Sequence, residues 1–140
     1  MIPTPVMFFI DDDPDDQYLI RRAIQQVNSN VELVSFESSE QLFNYFNQPK
    51  STLPDFILLD LNMPMISGKQ ILKRIKTTSE LKTIPCIIFT TSQSERDIEE
   101  SYQLGANSFI IKPGTFAQTV SIMQQLCDYW LKTVTLKVKD

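Results

Sequence analysis

Four short apolar runs of the chain each end in residues that can do chemistry. These residues are, in chain order, Asp11, Asp12, Asp60, Thr90, Thr91 and Lys112. Carboxylates crowded together raise one another's pKa unless a cation neutralises them. Because the set holds no histidine or cysteine, its hard oxygen ligands favour Mg²⁺, with Mn²⁺ as the alternative. A cation and a lysine at one site stabilise a transferring phosphoryl group, and Asp60 can act as its nucleophile by forming an aspartyl phosphate.

Composition narrows the class of protein. The 140 residues suit one domain with a real core, and 42% hydrophobic with 21% charged residues is ordinary for a globular protein. The net charge of -4 gives no basic surface for nucleic acid. The chain has no histidine, which excludes Ser-His-Asp and Cys-His catalysis, histidine metal sites and phosphohistidine chemistry within it.

Membrane and disulfide signals are absent from the sequence. The longest apolar runs are far shorter than the ~18 residues of a membrane-spanning helix, and the N-terminus lacks the features of a signal peptide. Cys86 and Cys127 lie inside apolar stretches. We therefore predict buried free thiols in a cytoplasmic protein, with no membrane partner.

Short apolar runs alternate with stretches of helical periodicity. The runs at 6–10, 31–36, 56–61, 86–90 and 108–112 are predicted strands, of which only the second has the interleaved polar residues of an edge. Helices are predicted at 14–27, 38–48, 67–76, 92–105 and from 115 or 116 to 131, the fourth opening with a Ser92…Glu95 capping box. This order predicts a doubly wound α/β fold with a parallel sheet. Ligands then bind at the carboxyl ends of the strands, where the polar residues converge.

The acidic stretch "FFIDDDPDD" (8–16) divides into two parts on this basis. Asp11 and Asp12 end the first strand and face the metal. Asp13 is predicted to cap the first helix, with Pro14 at its first position. Asp15 and Asp16 then lie in the first turn, where the helix dipole favours negative charge. We expect Asp16→Ala to cost only some stability.

The motifs together resemble the receiver domain of two-component response regulators over about residues 6–131. They are the acidic pair after the first strand, "LLDLNMPMISG" around Asp60, threonine after the fourth strand and "KP" after the fifth. The resemblance implies a flavodoxin-like (βα)5 fold with strand order 2-1-3-4-5. It places a receiver domain at 1–131 and a short tail at 132–140.

Residue roles follow from the resemblance. Asp60 would accept a phosphoryl group from a phosphohistidine on a sensor histidine kinase. Asp60 would also belong to the Mg²⁺ site with Asp12, which would bind the ion directly, and Asp11, which would bind it through water. The backbone carbonyl of Asn62 would complete the protein ligands. The oxygens of the phosphoryl group would be held by the three remaining groups, namely the Lys112 ammonium, the Thr90 hydroxyl and the backbone N–H of Thr91.

The resemblance also implies a switch and its supports. Pro113 would follow Lys112 through a cis bond, which costs only ~0.5–1 kcal/mol at X–Pro. "NMP" and Gly68 would shape the loop around the acceptor. On phosphorylation, Thr90 would turn toward the new oxygens and Phe109 would rotate inward. This would change the face formed by the fourth helix, fifth strand and fifth helix.

Two other functions compete with this one. A haloacid-dehalogenase-like phosphatase also uses a strand-end aspartate with Mg²⁺, but it needs a second acid two residues later, where this chain has Asn62. A pseudo-receiver would be a constitutive scaffold, against which the intact acidic pair, acceptor, threonine and lysine argue. We expect no enzyme beyond the module's own phosphoryl transfer and autodephosphorylation.

The expected partners follow from the same resemblance. No effector domain follows the receiver, so we expect a stand-alone module that acts through a downstream protein, a phosphorelay partner or a homodimer formed by the fourth helix, fifth strand and fifth helix. The "DDDPDD" opening resembles receivers that include partners of phytochrome-type kinases.

Overall fold

The computed structural model describes residues 3–139 and alternates strands with helices. The strands are β1 (Val6–Ile10), β2 (Glu32–Phe36), β3 (Phe56–Leu59), β4 (Cys86–Thr90) and β5 (Ser108–Ile111). The helices are α1 (Pro14–Gln26), α2 (Ser39–Phe46), α3 (Gly68–Thr77), α4 (Glu95–Gln103) and α5 (Phe116–Asp128). A π-helical turn (Tyr129–Thr133) follows α5, so the regular last helix ends three residues before the predicted Leu131.

The five strands form one parallel sheet in the order β2-β1-β3-β4-β5, as predicted. β2 is an edge strand, which its interleaved polar residues had indicated. β5 is the other edge, and Ile111 on it is 40% exposed. The apolar run of β5 predicts a strand covered on both faces, and Phe109 and Ile110 do pack against the two cores, but Ile111 at the end of the strand is not covered. An open sheet has two edges, and an apolar run does not distinguish an edge strand with one free side from a central strand.

Alternate strand residues supply two apolar cores, one on each face of the sheet. Phe8 and Leu59 belong to the core that includes Leu72 of α3. Phe9 belongs to the core that includes Ile20 of α1. This division follows from the two-residue period of side chains along a strand. The sheet is therefore fixed from both faces, which holds the carboxyl ends of its strands in place.

Helix α4 begins later than predicted. Ser94 rather than Ser92 is its N-cap, since the Ser94 hydroxyl accepts a hydrogen bond from the Asp97 N–H at 3.3 Å. The Ser92 hydroxyl instead donates to the Asp97 carboxylate at 2.5 Å. Two serines two residues apart both satisfy the preference for a cap, so the pattern does not choose between them.

None of the helices within residues 3–139 has both the length and the apolar character to cross a membrane.

Candidate functional site

Three carboxylates meet at the carboxyl ends of β1 and β3. One oxygen from each of Asp11, Asp12 and Asp60 lies within 4.8 Å of the others. Asp11 and Asp60 are 0% and 5% exposed, whereas Asp12 faces solvent. Hard oxygen ligands in this arrangement fit a divalent cation of the Mg²⁺ or Mn²⁺ type. The donor set thus agrees with the predicted metal site.

Strand pairing places these carboxylates. Ile10 lies opposite Leu59 in the β1–β3 register, so Asp11 and Asp60 are the next residues on adjacent strands. The Asp60 N–H donates to the Ile10 carbonyl at 3.0 Å and extends this pairing by one residue. The site therefore rests on backbone fixed by the core.

The first turn of α1 follows as predicted. Asp13 caps the helix, accepting from the Asp15 N–H at 2.9 Å, and Pro14 occupies the first helical position. The Asp13 N–H donates to the Asp11 carboxylate at 2.9 Å. This bond ties the start of α1 to a residue of the carboxylate cluster.

Lys112 lies among the acidic residues, and its side chain is only 10% exposed. Its Nζ atom is 2.8 Å from Asp11, 2.6 Å from Asp16 and 3.5 Å from Asp60. The expectation that Asp16 serves only the helix turn is therefore wrong. The position of Asp16 in the sequence places it in the first turn of α1 but does not show which way its side chain points. The available signal was that Asp16 lies about one turn after Asp13, beside the end of β1.

The pKa values of Asp11 and Lys112 are both raised, and on each group burial and the hydrogen bonds between them act in opposite senses. Burial raises the pKa of Asp11 to about 6, although the hydrogen bond from Lys112 opposes the rise. Burial by itself lowers the pKa of Lys112, but hydrogen bonds to Asp11 and Asp16 outweigh it and hold that pKa above its ordinary value. The lysine is thus a fixed cation beside a carboxylate that is costly to ionise.

Thr90 is buried at the end of β4. Its hydroxyl oxygen accepts hydrogen bonds from the Asn62 side-chain amide at 3.2 Å and from the Ser92 N–H at 3.4 Å. Thr91 is exposed and lines the open cleft that also contains Asp60 and Lys112. The Thr90 hydroxyl and the cleft thus lie at the same edge of the sheet as Asp60.

Phe109 lies on β5 opposite Ile88 and is partly buried against the core that contains Phe8. It belongs to the edge strand next to β4, which carries Thr90.

The loop after Asp60 packs tightly against the Asp60 backbone and carboxylate. The Asn62 N–H donates to the Asp60 carboxylate at 3.4 Å, and the Gly68 N–H donates to the Leu61 carbonyl at 3.0 Å. A Cβ at Gly68 would lie 2.1 Å from the Asp60 carbonyl oxygen. Only glycine fits there. Met65, at φ 66°, has the left-handed backbone that turns the chain in this loop.

The expected cis bond before Pro113 is wrong. Among residues 3–139 the structure has no cis peptide bond, so Lys112 and Pro113 are joined in the trans form. Trans is the favoured isomer of X–Pro bonds by ~0.5–1 kcal/mol. With this bond in the trans form, the Lys112 ammonium still contacts the Asp11 carboxylate.

Comparison with known proteins agrees with this geometry. The response regulator Rcp1 of Synechocystis sp. is 31% identical over 141 residues, covering 96% of this chain and 94% of Rcp1. The crystal structure of the phosphorylated cyanobacterial phytochrome response regulator RcpA is similar with a TM-score of 0.90 at 32% identity, covering 97% of this chain and 100% of RcpA. The Mn²⁺-bound form of Rcp1 has a TM-score of 0.86 at 30% identity, with 96% and 99% covered.

The response regulator receiver domain family itself matches residues 7–124. The match covers all of the sheet except Val6, the first residue of β1, and it includes every residue of the carboxylate cluster together with Thr90, Phe109 and Lys112. This chain belongs to the response regulator receiver domain family of two-component signalling.

Proposed function

We propose that Asp60 accepts a phosphoryl group from a phosphohistidine on a sensor histidine kinase, and that the aspartyl phosphate then alters a protein-binding face. The observation that carries the proposal is the place of Asp60. It is buried at the end of β3, clustered with Asp11 and Asp12, and has the Lys112 ammonium 3.5 Å from its carboxylate. The unit that acts is residues 1–131, with 132–140 as a tail.

The transfer needs little covalent chemistry from the protein. An oxygen of Asp60 forms the bond to phosphorus as the bond from phosphorus to the donor nitrogen breaks. The departing imidazole keeps that electron pair and takes up one proton. Catalysis is then mostly positioning and charge stabilisation.

The metal site serves that stabilisation. Bound Mg²⁺ would neutralise charge on the phosphoryl oxygens. Asp12, which faces the open cleft, would hold the ion directly, Asp11 through water, and the Asn62 backbone carbonyl would complete the set. The Mn²⁺-bound form of the relative Rcp1 supports a divalent ion here.

The other contacts go to the phosphoryl group. Lys112 would pair with one oxygen, and the Thr91 N–H would donate to another. The Thr90 hydroxyl accepts hydrogen bonds from Asn62 and Ser92, which leaves its own proton to donate to the new oxygens.

The output follows from the position of Thr90. Movement of its hydroxyl toward the phosphoryl group would vacate space for the Phe109 ring. α4, β5 and α5 then form the face that changes, through which a downstream protein, a phosphorelay partner or a second copy of the chain would bind. The resemblance to phytochrome response regulator RcpA supports a phytochrome-type kinase as the donor.

The test is an intact mass measurement after incubation with Mg²⁺ and phosphoramidate. We expect wild type to gain one phosphoryl mass and Asp60→Asn to gain none. A second pair of variants tests the metal role. Asp12→Ala should abolish Mg²⁺-dependent phosphorylation, while Asp15→Ala, an exposed neighbour in the same acidic stretch, should retain it. No gain in wild type, or an equal gain in Asp60→Asn, would contradict the proposal.

A purified phytochrome-type histidine kinase tests the donor. We expect transfer of radiolabelled phosphate from the autophosphorylated kinase to wild type and none to Asp60→Asn. Label that stays on such a kinase while phosphoramidate still modifies Asp60 would reject this class of donor and leave the acceptor role intact.

A further inference from the structure

Asp16 is a fourth carboxylate at the site, outside the cluster of three. Its contact with the Lys112 ammonium, at 2.6 Å, is shorter than that of Asp11 at 2.8 Å or Asp60 at 3.5 Å. The Asp16 side chain is only partly exposed, so the pair is shielded from solvent on most sides. The residue lies on α1, whereas the cluster of Asp11, Asp12 and Asp60 lies at the strand ends.

The ammonium of Lys112 has three protons to donate. In this structure the ammonium donates its two shortest hydrogen bonds to Asp11 and Asp16, and its contact with Asp60 is the longest of the three. A phosphoryl group on Asp60 needs the same ammonium. Asp11 belongs to the cluster that a cation would neutralise, which weakens its hold on Lys112. Asp16 is outside that cluster and keeps its charge.

We propose that Asp16 is a positioning residue that holds the Lys112 ammonium toward α1 and competes with the phosphoryl group for it. Phosphoryl transfer to Asp60 is slowed by this competition. The proposal rests on the phosphoacceptor function given above. It assigns to the acidic opening of α1 a role in setting the response rate, separate from metal binding.

The chain offers a matched control for the test. Asp15 and Asp16 are neighbours in the first turn of α1 and carry the same charge, but Asp15 is exposed and only Asp16 contacts Lys112. Asp15→Asn and Asp16→Asn therefore remove the same charge and the same helix-dipole contribution. Only the second releases the lysine. Asp16→Glu keeps the carboxylate and should restore wild-type behaviour.

The first measurement is the rate of phosphorylation by phosphoramidate with Mg²⁺. We expect Asp16→Asn to react about five-fold faster than wild type, the size expected for a partly exposed ion pair of about 1 kcal/mol. Asp15→Asn and Asp16→Glu should stay close to wild type. The gain should persist at about 0.5 M salt, where a general field effect is screened. A rate for Asp16→Asn equal to or below that of Asp15→Asn would overturn the proposal.

The second measurement does not depend on phosphorylation. Acetylation of lysines by a dilute acylating reagent, read by peptide mass spectrometry, should modify Lys112 faster in Asp16→Asn than in wild type or Asp15→Asn. Unchanged reactivity would show that Asp16 does not hold the lysine. If wild type takes no phosphoryl group on Asp60, the proposed function fails. Lys112 reactivity would then still decide whether Asp16 restrains it.

Discussion

Gly68→Ala is a substitution whose steric effect on stability can be worked out directly from distances in the structure. Gly68 is the first residue of α3 and lies against the backbone of Asp60 and Leu61. A Cβ at this position would lie 2.1 Å from the Asp60 carbonyl oxygen, 2.7 Å from the Leu61 Cα and 2.9 Å from the Asp60 carbonyl carbon. All three are backbone atoms, which cannot rotate away as a flexible side chain can. Gly68→Ala therefore forces α3 away from the backbone that follows β3.

The cost can be worked from those distances. Ordinary contact begins at 3.4 Å, so relief of the shortest contact needs a shift of more than 1 Å. Overpacking of this kind costs about 1–3 kcal/mol and occasionally more, and a fixed backbone on both sides favours the upper end. Replacing glycine by alanine returns about 0.4–1 kcal/mol through the unfolded chain. We expect a net loss of about 2 kcal/mol in the free energy of unfolding.

Urea denaturation followed by circular dichroism measures this loss, and the other two glycines calibrate it. A Cβ at Gly114 would meet no described heavy atom within 4 Å, so Gly114→Ala should leave stability unchanged or slightly raised. Gly105 has φ 106° and faces the flexible Lys76 side chain. Gly105→Ala should lose about 1–2 kcal/mol from backbone strain alone. Equal stabilities for Gly68→Ala and Gly114→Ala would refute the steric reasoning.

Three further predictions concern ionisable groups. The hydrogen bond from Lys69 holds the pKa of Asp97 below the ordinary 3.8, so this stability is present above that pH and is lost below it. Lys69→Met should therefore cost about 0.5–1 kcal/mol at pH 7 and progressively less in acid unfolding curves. Burial raises the pKa of Asp11 from 3.8 to about 6. In EDTA, the contribution of Asp11 to the free energy of unfolding is therefore full below pH 3.8 and is lost as the pH rises through 6. Asp11→Asn should lack this step in the pH dependence of stability. Burial raises the pKa of Cys86 to about 12 and of Cys127 to about 11, so a disulfide reagent at pH 8 should modify them in urea and not in the native protein.

The alternation of strands and helices could be predicted because buried apolar runs and helical periodicity are local signals. Capping by Asp13 followed from residue type and spacing for the same reason. The predictions that failed depend on what lies beside an element. The exposure of Ile111 on β5 reflects its place at the sheet edge, and the choice of Ser94 over Ser92 reflects the pairing of Ser92 with Asp97.

In the candidate site, too, some features could be predicted from the sequence and others depend on how the elements pack. Asp11, Asp12 and Asp60 were predicted to meet because parallel strands bring their carboxyl ends to one edge. The role of Asp16 depends on the rotation of α1 about its axis relative to Lys112, which charge patterning does not encode. The isomer at Pro113 likewise depends on the surrounding fold, since the intrinsic preference between the two forms is small.

The two sides of the site are held by different forces, which bears on how a signal would leave it. Helix α3 buries Ile71, Leu72 and Ile75 in the core, whereas α4 buries only Ser101 among its residues. Polar contacts hold α4 instead, from Lys69 to Asp97 and Glu100 and from the Ser92 hydroxyl to Asp97.

The Ser92 N–H also donates to the Thr90 hydroxyl, so the first polar contact of α4 adjoins the residue that would respond to the phosphoryl group. Displacing α3 would expose buried apolar surface, which costs about 25 cal/mol of free energy per Å². Displacing α4 would exchange partly exposed ion pairs for contacts with water, and such pairs add little to stability because solvent screens them. A rearrangement of Thr90 is therefore far easier to pass to α4 than to α3, and salt that weakens the Lys69 pairs should make α4 easier still to move.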